Sequence, residues 1–480
     1  MYSDNGHGVV SVTQQSIESL SSLREKASAA SESGPADLWR TPWFARGTWG
    51  TLLCALYPLL VLTPLIVFAV ALPPSDDAPI AKAAVSCAVV AFSILCLQFL
   101  LTARIRWIEA PFGLDVILRF HQGMALVAVC LLCVHPLLLA SVQGWGLLTR
   151  WGVRWPIWAG RIALLLLLTH GVIAAGRRVL RLRYETWLFA HNVAAFLLLG
   201  FAFVHSLALG DDLARAGPRI AWIALPLVAW SAWFYRRVAR PQMLARNPYK
   251  VLAVDREAPS VWTLTLEAPD RNRLIFAPGQ FQFLRPLSGS VSGEEHPFSI
   301  ASSPSPDGRI SVTIKESGDF TSTIGKLAPG DLVAVHGPFG RFSHVFHRDC
   351  DDLVFIAAGV GITPLMSMLR YIRDRREACR VLLIYANREA PAIMFRQELE
   401  AIRLAGVPLL RVVHVVSRPS TDWQGLSGRL DAALVKAICR DLAGKTFFIC
   451  CPPRMIASLV RGLKRAGIDP GRIHAECFGL

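Results

Sequence analysis

The 480-residue chain carries 50 Lys and Arg against 35 Asp and Glu, a formal charge of +15, and 53% of its residues are hydrophobic. Its length suits two to four domains, and its arginines flank apolar runs, as an anionic inner leaflet favours, instead of forming the basic patch or tail of a nucleic-acid binder. Nucleic acid is thereby excluded as the expected partner. Among eleven cysteines the one CxxC pair, Cys130 and Cys133, sits in an apolar helix without a second such pair, so zinc and thioredoxin readings fail.

Residues 1–46 are polar and Ser-rich, lack the apolar core of a signal peptide, and are expected to form a disordered extension that is not translocated. Six apolar stretches follow, each of the length that crosses a bilayer: Thr51–Leu72, Ala81–Leu101, Phe120–Ala140, Ile157–Ala175, Trp187–Leu209 and Ile220–Phe234. They predict an all-α, six-helix transmembrane bundle over residues 47–240. One side collects Arg40, Arg46, Arg104, Arg106, Arg119, Arg177, Arg178, Arg181, Arg183, Arg236, Arg237 and Arg240, while the other has Lys82, Arg150, Arg154, Arg161, Arg215 and Arg219, diluted by Asp76, Asp77, Asp211 and Asp212. Both termini are therefore expected in the cytoplasm, with the chain in a bacterial inner membrane.

Four histidines lie in two of these segments, His121 and His135 in the third and His191 and His205 in the fifth. Each pair is fourteen residues apart, almost four helical turns or about 21 Å along the axis, so its members face nearly the same way. The third and fifth helices run in the same direction, which sets His121 opposite His191 at one depth and His135 opposite His205 at another. Two facing imidazoles at two depths suit two bis-His haems spanning an insulating layer of about 30 Å. Intramembrane ionisable groups are costly, and duplicated spacing is poorly explained by chance hydrogen bonding. His170 stands without a partner at that spacing and is expected to pack or to contact a haem propionate. Phe196, between the two levels, either fills the gap between macrocycles or is an ordinary core aromatic.

Beyond Pro241 short β-type runs appear, Val261–Leu266, Phe281–Leu284 and Ile310–Ile314, divided by Pro, Gly and Asp turns. They predict a β-barrel over residues 247–347. From Leu353 the strands Leu353–Ala357, Val381–Tyr385, Leu410–Val416 and Phe447–Cys450 alternate with helix-compatible sequence, which predicts a parallel α/β domain over residues 348–480.

His296-Pro297-Phe298-Ser299 begins a strand after a Gly/Ser-rich loop, Gly318-Asp319-Phe320-Thr321 precedes a helix-compatible run, and Gly359-Val360-Gly361-Ile362-Thr363-Pro364 follows the first α/β strand. With these motifs the chain resembles the NADPH oxidase and ferric reductase superfamily, whose cytoplasmic half is of the ferredoxin-reductase type, and the resemblance extends from the first helix to the C-terminus. It implies two b-type haems held by His121, His135, His191 and His205, and FAD held by His296–Ser299, with the Ser299 hydroxyl near flavin N5. It implies NADPH or NADH as donor. Amides at the start of the Gly318–Thr321 helix suit the FAD pyrophosphate, and Gly359, Gly361, Thr363 and Pro364 form a GxGxTP turn against the nicotinamide cofactor's pyrophosphate. Pro278–Phe281 and Gly337–Gly340 resemble the turns of the family's flavin domain.

In Cys450-Cys451-Pro452-Pro453, Cys450 keeps the family's cysteine, whereas Cys451 replaces its usual glycine and puts the close backbone approach to nicotinamide in doubt. Phe478 in the tail Glu476–Leu480 either covers the flavin face, as the family's terminal aromatic does, or packs in the core. Arg388 and the Ser417-Arg418 pair follow the second and third α/β strands, where a 2′-phosphate needs cationic partners, and favour NADPH. The resemblance leaves the acceptor open among dioxygen, reduced to superoxide, a ferric chelate, and a quinone or protein partner. A non-catalytic haem sensor or transporter is the rival from another class. No EF-hand pattern is present, so calcium control through this chain is not expected.

Overall fold

The computed structural model describes residues 48–71, 78–177, 179–269, 273–288, 291, 293–347 and 351–477. The N-terminal extension, Asp76, Asp77, Arg178 and Phe478 therefore lie outside the described residues. Two compact units divide after Gln242.

The membrane unit contains α1 (Thr48–Ala71), α2 (Pro79–Thr102), α3 (Leu114–Gln143), α4 (Trp155–Gly176), α5 (Tyr184–Leu209) and α6 (Ala216–Phe234). Among the described residues five helices, α1 to α5, are long and apolar enough to cross a membrane. The sixth expected span is a helix of 19 residues that falls short on hydropathy. Arg219, two prolines and three tryptophans dilute it. The most apolar part of α2 is 56% buried within the protein, whereas the corresponding parts of the other four are 11–17% buried. So α2 is the central helix, and the others turn apolar side chains outward, as helices facing lipid do. Val61, Ile94, Leu97, Ala128, Leu167 and Leu198 pack together in the core of the unit.

In the second unit the flavin-type region forms an antiparallel sheet of β1 (Tyr249–Ala258), β2 (Val261–Glu267), β3 (Phe281–Pro286), β4 (His296–Ser299), β5 (Ile310–Lys315) and β6 (Leu332–Phe339). Its order is β4-β3-β6-β1-β2-β5. The expected barrel is thus seen as a six-stranded sheet without a closing ladder. Among the described residues the bridge of Ile300 to Val312 and the Ala301 amide donating to the Ser311 carbonyl join its edges, because the chain leaves β4 at once for the turn through Pro304 and Pro306. Tyr249 anchors the sheet's core, its hydroxyl accepting from the Leu274 amide at 2.8 Å.

The remaining strands are β7 (Asp352–Ala358), β8 (Arg380–Asn387), β9 (Leu409–Val416), β10 (Leu426–Ser427), β11 (Thr446–Cys450) and β12 (Ile473–Glu476). They form a parallel sheet in the order β10-β9-β8-β7-β11-β12. Helices α7 (Ile362–Asp374) and α8 (Arg396–Ala405) pack Leu365, Leu369, Leu399 and Ile402 on one face. Helices α9 (Ala432–Cys439) and α10 (Pro453–Arg465) pack Val435, Ile438, Leu459 and Leu463 on the other. The chain winds outward from β7 through β10 and then returns to β11 on the opposite side of β7. The crevice beyond the ends of β7 and β11 is therefore the topological switch point, where open α/β sheets bind their ligands.

Candidate functional site

The two histidine helices do not lie along each other: α3 packs along α2, and α5 along α4. The rings of His121 and His191 nevertheless meet with centres 6.2 Å apart, and those of His135 and His205 with centres 6.5 Å apart. In the second pair each Nδ1 donates to a backbone carbonyl at 2.8 Å, His135 to Ala84 and His205 to Pro156. That bond places the proton on Nδ1 and leaves Nε2 as the free lone pair, the arrangement typical of metal-bound imidazoles. A side chain on Gly160 would collide with the His205 ring, so this glycine gives the ring its place. In the first pair the Nδ1 atoms of His121 and His191 are buried without hydrogen-bond partners.

His170, which has no partner at the fourteen-residue spacing, packs against the first pair. Its ring centre lies 4.4 Å from that of His191, because α4 packs along α5, which no spacing within a single helix reveals. Trp187 flanks His191 at 5.2 Å, and the Arg177 guanidinium sits 4.9 Å from the Trp187 ring centre. Phe196 rests against Trp230 and Trp233 of α6 at 5.7 and 5.2 Å.

In the second unit His296, Pro297, Phe298 and Ser299 form β4, paired with β3. The His296 ring stacks on Phe320 at 4.1 Å, and Phe298 stacks on the same ring at 6.2 Å, so the two flavin-type motifs come together. Glu294 lies 3.2 Å from His296 Nε2. The helix expected after Gly318 and Asp319 is a six-residue 3-10 turn, Thr321–Lys326. Its opening is already partly bonded, since the Thr321 hydroxyl accepts from the Ser317 amide. Ser299 is 5% exposed, and its hydroxyl has no hydrogen-bond partner. A buried unbonded hydroxyl costs about 1–3 kcal/mol. It fits a residue whose partner is a bound cofactor.

Gly359 has φ +53°, a backbone state that side chains disfavour, and its carbonyl accepts from the Tyr385 hydroxyl at 3.2 Å. Thr363 donates to the Val360 carbonyl at 3.0 Å, and Pro364 lies in the first turn of α7. A Cβ on Gly361 would collide with the Cys450 carbonyl oxygen and lie 3.3 Å from its sulfur. Cys450 is fully buried, and burial pushes its thiol well above the usual value, keeping it neutral.

Cys451 does not crowd this approach. Its side chain turns to the other face of the sheet, in the core with Val354 and Leu459, and its sulfur lies 3.7 Å from the Ile356 carbonyl oxygen. Arg388 and Arg418 come side by side past the ends of β8 and β9, where the Arg418 amide donates to the Arg388 carbonyl and the Ser417 amide to Asn387.

A chain of neighbours links the flavin and nicotinamide motifs. Ser299 pairs with Phe281; Phe281 lies against Gly340, which also adjoins the Glu476 carboxylate; and Glu476 pairs with Cys450, which meets Gly361. The position of Glu476 was not foreseen, because β12 is a short strand paired far along the chain. Also unforeseen was the polar junction between the sheets. The Gly279 amide donates to Ser367 of α7, Ser367 donates to the Ser302 carbonyl, and Arg370 reaches both the Ala301 carbonyl and Glu398. The Pro278–Phe281 turn thus helps to hold the nicotinamide helix.

Three family models match separate parts of the chain: the ferric reductase like transmembrane component residues 87–202, the FAD-binding domain 248–340 and the oxidoreductase NAD-binding domain 355–461. The chain is 34% identical over 238 residues to the sulfhydrogenase 1 subunit gamma of Pyrococcus furiosus, a match covering 47% of this chain and 79% of that protein. It is 33% identical over 250 residues to ferredoxin–NADP reductase B of Sorangium cellulosum, covering 49% of this chain and all of that protein. Among solved structures, the Amycolatopsis cytochrome P450 reductase GcoB is 26% identical and matches 48% of this chain and 69% of its own, with a TM-score of 0.43. The chain belongs to the ferric reductase and NADPH oxidase superfamily, as a membrane oxidoreductase in which a ferric-reductase-like transmembrane domain is fused to a ferredoxin-reductase-type half that binds FAD and NAD(P)H.

Proposed function

We propose that the protein carries electrons from cytoplasmic NAD(P)H through FAD and two bis-His b-type haems to dioxygen on the outer side of a bacterial inner membrane, giving superoxide. The observation that carries this reading is the geometry of the two imidazole pairs. A metal–nitrogen bond of about 2 Å, with about 1 Å more from nitrogen to ring centre on each side, sets coaxial imidazoles about 6 Å apart. Separations of 6.2 and 6.5 Å agree with that sum. The free Nε2 atoms of His135 and His205 supply the matching lone pairs.

His121 and His191 would hold one haem and His135 and His205 the other, supplying one-electron carriers at two depths. FAD, when bound, converts the two-electron hydride into single electrons. In this reading Ser299 would meet the flavin, Gly361 and Cys450, which lie against each other, would meet the nicotinamide cofactor, and the neutral Cys450 thiol adds no charge against it. Arg388 and Arg418 favour NADPH through charge-assisted bonds to a 2′-phosphate. The crowding of arginines on one set of loops supports cytoplasmic termini.

His121, His191, His135 and His205 would hold the two haems and leave no ligand position for an acceptor, so the chemistry supplied there would be outer-sphere one-electron transfer, which suits a small diffusing molecule. The expected outer loop around residues 144–154 carries no His, Cys or carboxylate with which to bind iron, and the one around 210–218 offers Asp211 and Asp212 alone, a weak candidate pair. The test is reconstituted full-length protein with NADPH and FAD, followed by superoxide-dismutase-sensitive cytochrome c reduction in air beside ferric-chelate reduction under argon. Dismutase-insensitive signal with fast anaerobic iron reduction would make the protein a ferric reductase instead.

A further inference from the structure

Two cysteines that the hydride path does not use lie at the edge of the nicotinamide crevice. The parallel ladder of β11 and β12 ends with Cys450 paired to Glu476, so Cys451 and Cys477 are the next residues of the two adjacent strands. Neighbouring strands run about 4.8 Å apart. That spacing falls within the range of about 4.4–6.8 Å between the Cα atoms of disulfide-linked residues. Side chains alternate along each strand. Cys450 therefore faces Gly361, while Cys451 takes the opposite face, the one also expected for Cys477. Burial, followed by the nearby Cys477 thiol, pushes the Cys451 thiol up to about 12. Cys451 is 5% exposed, whereas Cys477 is exposed and open to a diffusing oxidant.

We propose that Cys451 and Cys477 are a reversible, peroxide-responsive thiol pair whose disulfide clamps the ends of β11 and β12 beside the nicotinamide crevice and slows cofactor turnover. Hydrogen peroxide oxidises the Cys477 thiol to a sulfenic acid, its O–O bond breaking so that one oxygen passes to sulfur and the other leaves as water. The Cys451 sulfur then attacks the sulfenic sulfur, forming the S–S bond and releasing a second water. Two thiols together lose two protons and two electrons, which hydrogen peroxide takes up as two waters; a dithiol restores the pair by exchange. Burial and Glu476 hold the Cys477 thiol above its usual value, so its oxidation through the thiolate is slow. In a reducing compartment such a bond is a sensor and not a structural staple. The inference does not depend on which acceptor receives the electrons.

The experiment exposes the full-length protein in detergent to hydrogen peroxide, alkylates the remaining thiols and maps tryptic peptides by mass spectrometry. The expected product joins Thr446–Arg454 to Ile473–Leu480 through Cys451, two hydrogens lighter than the separate peptides, and disappears with dithiothreitol. NADPH-driven reduction of a soluble dye should fall several-fold on oxidation and recover on reduction. Cys477→Ser, with Cys477→Ala as a second variant, should keep the basal rate and ignore peroxide. A link through Cys450, no link at all, or equal peroxide sensitivity in both Cys477 variants would overturn the proposal.

Discussion

His135 and His205 face each other across 6.5 Å, and each is fastened by its Nδ1 to a carbonyl on a different helix, Ala84 on α2 and Pro156 at the start of α4. This pair is thus held from both sides, whereas the Nδ1 atoms of His121 and His191 make no such bond. Full-length protein is expected to bind two low-spin haems. Replacing His135 or His205 with Ala should remove one and keep the other, and replacing His121 or His191 should remove the other and abolish transmembrane transfer. Haem-to-protein ratios and low-temperature absorption spectra decide it, with unchanged haem content in all four variants refuting ligation.

Gly361→Ala drives a methyl group into the Cys450 carbonyl oxygen, where backbone and not a flexible side chain must yield. Overpacking of this kind costs about 1–3 kcal/mol. The expected result is a raised KM for NADPH with FAD content retained. Unaltered KM in a folded variant would contradict a cofactor site at this turn.

Ser299→Ala removes a buried hydroxyl that has no protein partner. If the partner is the flavin, the loss is one hydrogen bond of about 1 kcal/mol, roughly a fivefold slower flavin reduction or weaker FAD binding, without loss of thermal stability in the FAD-free protein. Stopped-flow reduction and FAD titration measure the first, and differential scanning fluorimetry the second. A destabilised FAD-free protein with normal reduction kinetics would make Ser299 a structural residue.

Arg388→Ala combined with Arg418→Ala should lower kcat/KM for NADPH by about tenfold or more while sparing NADH, as expected for losing charge-assisted bonds to a 2′-phosphate. Steady-state kinetics with both donors test this. Equal losses for both would place the two arginines elsewhere in the chemistry.

Glu398 on α8 is held by Arg370 and Arg373 of α7 at 2.5 and 3.2 Å. Burial raises its carboxyl, but the two guanidiniums outweigh burial and leave it below the usual range. A depressed folded value means the pair contributes stability at pH above the unfolded value of about 4.3, and loses it as pH falls through the folded value. Glu398→Gln should therefore lower the Tm at pH 7, with the difference from wild type shrinking in acid. A difference constant down to pH 3 would exclude the ion pair as its cause.

Much of this protein was legible in the sequence because its signals are local or periodic. Long apolar runs marked α1 to α5, since a bilayer sets both length and polarity. Fourteen-residue spacing put His121 with His135, and His191 with His205, on common helix faces, and the GxGxTP and HPFS motifs marked a turn and a short strand whose signals lie within a few residues. Tertiary structure decided what depends on contacts between distant segments. The packing of α4 along α5 brought His170 to His191, and Ala84 and Pro156 supplied the carbonyls that orient His135 and His205. The crossover from β10 back to β11 carried Cys450 to Gly361, and β12 brought Glu476 toward Gly340. The sixth helix was visible as a run, but its tryptophans, prolines and Arg219 left its hydropathy short. Whether a six-stranded sheet closes depends on the partner of its last edge, and no residue pattern within β4 or β5 encodes that partner.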